Sequence, residues 1–156
     1  MPGQRRDYLM HQIDLLRQFV ARLVDGHANA GLEDMLQLAF SLQEKLFGRP
    51  PAEFLALEVS AQIASLRAGE TDAVGREKCL TYARLLQHTA ALYDHRGRSD
   101  LGAGARQLAL HVSLAVGLEN RADLETAELI ESLAGTLDPT ELHPPVAELL
   151  ADFRDV

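Results

Sequence analysis

The sequence predicts an all-α fold, and three observations carry that prediction. Apolar residues recur at three- and four-residue spacing through most of the 156 residues. Glycines, prolines and cap residues cut the pattern into about seven segments of helical length. No stretch alternates apolar and polar residues for long enough to read as a strand. A chain of this length can bury a core without staples, so a single domain over residues 1–156 is expected.

The first helix is expected over 6–25. Tyr8, Leu9, Ile13, Leu15, Leu16, Phe19, Val20, Leu23 and Val24 take about half of its helical wheel, with Asp7, His11, Asp14, Gln18 and Arg22 opposite. An arc that broad is more than one neighbour covers. The helix is therefore expected either to wedge into the fold or to form a homodimer through Leu9, Ile13, Leu16, Phe19, Val20 and Leu23. Three antiparallel pairs are expected to follow, at 32–68, 73–116 and 122–154. The first pair holds a helix from Leu32 to Phe47, ended by Gly48 as the C′ residue, and one from Pro51 to Leu66 opened by proline in its first turn. The second pair starts at a Thr71 or Asp72 cap and carries Cys79, Tyr82, Ala83, Leu86, Ala90 and Tyr93 on one stripe. Its partner, from about Asp100 to Val116, is apolar on almost every side, which makes it the expected centre of the core, with Leu108 within it. The third pair is expected at about 122–137 and 144–153, punctuated by Asp138-Pro139 and His143-Pro144-Pro145.

Charge is unevenly placed. The formal net charge is −8. Residues 1–118 hold 13 basic and 13 acidic side chains, whereas residues 119–156 hold Arg121 and Arg154 against 10 acids. Such an acidic end repels phosphate backbones and anionic lipid, so neither nucleic acid nor membrane is expected as partner. One cysteine, Cys79, cannot make an internal disulfide and lies in an apolar run, which points to a packing role and a reducing, cytoplasmic setting. The opening Met-Pro-Gly-Gln-Arg-Arg-Asp lacks the apolar core of a signal peptide, and no window reaches the roughly 18 apolar residues of a membrane span.

The run Ala90-Ala91-Leu92-Tyr93-Asp94-His95-Arg96-Gly97-Arg98-Ser99-Asp100, with Ala105 to Leu110 after it, resembles the centre of a tetratricopeptide repeat. Tyr93 and Gly97 match the aromatic and the turn glycine. Gly102, Ala105 and Ala109 match the small residues that admit the second helix closely. The likeness covers about one helical pair; the pair starts are not spaced by 34, and Arg106 stands where an aromatic is expected. The opening Arg6-Asp7-Tyr8-Leu9-Met10-His11-Gln12-Ile13 resembles a family of small bacterial proteins with a tetratricopeptide-like C-terminal half. That resemblance implies a right-handed helical array and no activity. The preference for arginine, 13 against 2 lysines, is compatible with a GC-rich bacterial genome.

Few residues suggest chemistry. Asp7, His11 and Asp14 share a helical face, but this is what a polar face yields by chance, and HExxH, Glu-x-x-His and Cys-x-x-Cys are absent, so no metal or cofactor is expected. No nucleotide-binding glycine motif or Gly-x-Ser-x-Gly elbow occurs. The better candidate is a groove. Arg84, His88 and His95 form one stripe and Asp100, Gln107 and His111 another, and an antiparallel hairpin about Gly97 sets them level with each other. Such a groove would read a peptide or an anionic molecule, since arginine forks match carboxylates and phosphates. The leading expectation is a non-enzymatic helical interaction module for another protein or peptide. The alternative is an enzyme or small-ligand bundle with a polar pocket around Arg84, His88, His95 and His111.

Overall fold

The computed structural model describes residues 11–21 and 31–155, and among these the fold is all-α, with no strand. Helix α1 covers 11–21 as far as it is described. Then come α2 (Leu32–Phe47), α3 (Pro51–Leu55), α4 (Val59–Arg67), α5 (Asp72–His95), α6 (Ser99–Glu119), α7 (Leu124–Gly135), a short 3-10 turn (Pro139–Glu141) and α8 (Pro144–Arg154).

The terminators act as the local chemistry dictates. Gly48 ends α2 with its N–H donating to Glu44 O at 2.9 Å. Thr71 caps α5 by accepting from Val74 N, and Asp123 caps α7 by accepting from Glu125 N. At the α5–α6 turn Gly97 takes φ +84°, a conformation that a side chain would strain. It closes α5 through two bonds, Gly97 N to Asp94 O and Arg98 N to Tyr93 O, which satisfy two of the helix's last carbonyls.

The expected helix over 51–66 is in fact two. It breaks at Ala56 to Glu58, and the cause lies in what each half must bury. Phe54 stacks on Phe47 with centroids 3.6 Å apart, and Tyr82 meets the two rings edge-on at 5.0 and 5.6 Å. Gln62, on the second half, turns toward α5 and accepts from Tyr82 Oη at 2.9 Å, while its Nε2 donates to Leu57 O across the break. Phe54, Gln62 and Leu66 are all buried.

The three expected pairs are not alike. Among the described helices α5 and α6 make the most extensive pairing; α2 and α4 lie mainly on α5, and α7 and α8 on α6. Thr126 and Ile130 of α7 and Phe153 of α8 all close on Gly117 of α6. Their apolar faces are narrow, Leu129, Ile130 and Leu133 on one and Val146 and Leu150 on the other, and each is drawn to the broader face of α6 instead of to its sequence partner. Within the central hairpin the helices approach so closely that a Cβ on Gly102 would sit 3.0 Å from Ala90 O. Leu110, Val112 and Leu114 are wholly buried, whereas Leu108 is only partly so; the core centre of α6 is shifted from the expected position.

The described part of the first helix packs into the fold, one of the two arrangements expected for it. Ile13, Leu16 and Phe19 are 5 %, 0 % and 6 % exposed inside the single chain, and Val20 packs on the same core. These are core positions of the single chain. Leu9 and Leu23, the other two residues of the expected dimer face, lie outside the described residues.

Candidate functional site

The six residues of the expected groove serve three separate junctions. Arg84 and His88 lie one turn apart on α5. Arg84 Nη2 sits 3.2 Å from Glu125 Oε1 at the start of α7. His88 is half-buried and close enough to Arg17 and Asp14 of α1 to feel their charges. Burial first, then Arg17 and Arg84, push its pKa from 6.5 to about 4.

His95 and Asp100 stand at the exposed turn. Asp100 is gripped by Arg98, whose Nε and Nη2 reach its two oxygens at 3.1 and 3.0 Å, and this pairing holds its carboxyl below the usual range. Gln107 and His111 face a different part of the fold. The buried Gln107 amide donates from Nε2 to Glu141 O and accepts from His143 N, both at 2.9 Å, so both ends of the amide hold the chain between the 3-10 turn and α8. His111 is half-buried near His143, and burial lowers its pKa. A cavity of about 480 Å³ lined by Ser41, Glu44, Lys45, Gly48, Arg49 and Pro50 contains none of the six.

Other expected sites resolve as follows. Asp14 is engaged by Arg17 at 2.8 Å and by Gln18 at 2.9 Å; its expected companion Asp7 lies outside the described residues. Among the described residues no group of three or more His, Cys, Asp or Glu is placed to hold a metal ion. Cys79 is fully buried, and desolvation pushes its thiol up to about 11, which suppresses thiolate chemistry. No described helix is long and apolar enough to cross a membrane.

Several bonds that organise the surface join residues too distant in sequence to be read as pairs. Arg67 crosses to Glu119 at 2.9 Å, Arg154 to Glu131 at 2.7 Å, and Arg106 to Asp94. Arg121 donates to the carbonyls of Asp152 and Phe153, capping α8, and lies 5.9 Å from the Phe153 ring centroid. Both cations of the acidic segment are thus committed within the chain. Glu128, Glu141 and Glu148 are exposed and have no salt-bridge partner among the described residues.

The chain matches no protein-family model, no curated protein and no solved structure. The likeness of residues 90–110 to a tetratricopeptide pair therefore rests on those residues alone. What is established is a small all-helical protein.

Proposed function

We propose that this chain is a non-enzymatic helical module that binds another polypeptide, with the acidic α7–α8 side as its contact face and a basic segment as the complement. The observation that carries this reading is the distribution of charge. Ten acids stand against two arginines after residue 118, and both arginines are already engaged within the chain, Arg121 on the α8 carbonyls and Arg154 on Glu131. The carboxylates left facing water create a one-signed field, which favours a cationic partner and speeds its encounter. Gln107 and Arg84 support the same choice from the other direction, because their polar atoms already hold the fold together at Glu141, His143 and Glu125. The tetratricopeptide-like element of the reading is confined to the α5–α6 hairpin, where Tyr93, Gly97 and Gly102 occupy the turn and the close approach.

Fluorescence anisotropy with a labelled twelve-residue Lys/Arg peptide tests the reading, with a Glu-substituted peptide of equal length as control. Binding of the basic peptide should weaken as salt is raised from 50 to 200 mM and fall by roughly tenfold in Glu128→Lys with Glu148→Lys. Equal binding of the two peptides, or no loss on charge reversal, would overturn it.

A further inference from the structure

Helix α7 turns a narrow face to the core and an equally narrow one to water. Thr126, Leu129, Ile130 and Leu133 are buried, and on the opposite side Leu124, Glu128, Glu131 and Gly135 are all exposed. Spaced by four, three and four residues, these last four share an arc of about 60° at 3.6 residues per turn and span roughly 16 Å of helix. They form one straight stripe.

Its chemistry is acidic only in the middle. Leu124 is 76 % exposed, the most exposed large apolar side chain among the described residues, and it heads the stripe one and two turns before the two carboxylates. A single exposed leucine is ordinary on a surface. This one is in register with acids of the proposed contact face. At the other end Gly135 has no side chain, and a Cβ built there meets nothing within 4 Å. Between them Glu128 has no salt-bridge partner among the described residues. Glu131 is held at 2.7 Å by Arg154, but both side chains of that pair are about half exposed, so another cation can replace Arg154 there at little cost.

Charge decides among occupants. A second copy would bring the same two carboxylates to the stripe, and like charge disfavours that pairing. Resting on the reading of the acidic side as the contact face, we infer that its partner is an amphipathic helix laid along α7, carrying apolar, basic, basic and apolar residues spaced by four, three and four. One apolar end covers Leu124 and the other takes the open space over Gly135, while the two cations meet Glu128 and Glu131. The spacing reads the same in both directions. Parallel and antiparallel docking are therefore matched alike.

Fluorescence anisotropy with two labelled alanine-rich peptides of about sixteen residues, identical in composition, tests this. One carries Leu, Arg, Arg and Leu at the stated spacing, and in the other the same residues are scattered around the helix. The patterned peptide should bind roughly tenfold more tightly, the effect of covering about one leucine. Leu124→Ser, at an exposed position, should erase that advantage to the same extent at 50 and 200 mM salt, because apolar contact is not screened, and Leu124→Met should keep it. Equal affinity of the two peptides, or an advantage that survives Leu124→Ser, overturns the helical partner. The binding of the simple Lys/Arg peptide is unaffected by either result, so the basic-partner reading stands or falls separately; if no basic peptide binds, both fall.

Discussion

Removing one oxygen from Tyr82 tests how the aromatic corner is held. Tyr82 is 0 % exposed and Gln62 2 %. The 2.9 Å bond from Tyr82 Oη to Gln62 Oε1 therefore lies away from water, and Gln62 Nε2 is already used on Leu57 O. Tyr82→Phe keeps the ring against Phe47 and Phe54 but strands the Gln62 oxygen, at a cost of about 2 kcal/mol, because a buried acceptor loses its partner without regaining solvent. For a chain of this length that corresponds to a fall in Tm of roughly 4–8 °C. Gln62→Leu should cost more, since it strands the tyrosine hydroxyl and also releases the α3–α4 break. The double variant should cost less than the sum of the two, with a coupling of about 1–2 kcal/mol. Urea denaturation followed by far-UV circular dichroism measures all three. A Tyr82→Phe protein within about 0.5 kcal/mol of wild type at unchanged m-value would refute the buried bond, since a cost that small is what a solvated hydroxyl gives.

Two further outcomes separate what the core does along single helices. Leu110→Asp should leave the protein unfolded or aggregated, since an unpaired carboxylate at a fully buried site costs several kcal/mol, whereas Leu108→Asp, at a partly buried one, should yield a folded protein of lower Tm; the reverse order would show that α6 is rotated from the orientation described. Gln43 is 2 % exposed and its Oε1 has no hydrogen-bond partner, so Gln43→Met should raise stability by about 1 kcal/mol in the same denaturation assay, and a loss of stability would mean that this oxygen is satisfied in water.

Where the relevant physics is local, the residues were legible in order. The stop at Gly48, the Thr71 cap, the turn at Gly97 and the proline start of α8 each depend on backbone groups within a few residues, so periodicity and cap chemistry suffice to place them. The break within 51–66 was not legible, because it is set by a tyrosine twenty residues on and by a phenylalanine on another helix.

The candidate groove shows the same division more sharply. That Arg84, His88, Gln107 and His111 lie on polar stripes of two antiparallel helices was determined by the sequence. Their partners were not: Glu125, Asp14 with Arg17, and the backbone at 141 and 143 come from three other elements, and helix rotation about its own axis is decided only when every apolar face is buried at once. The acidic character of the last quarter is a property of composition and needed no structure. Which of its carboxylates stay unpaired, and that Arg121 is spent on the α8 carbonyls while Arg154 pairs with Glu131 at the surface, followed only from packing α7 and α8 onto α6, because an ion pair depends on distance in space and not along the chain.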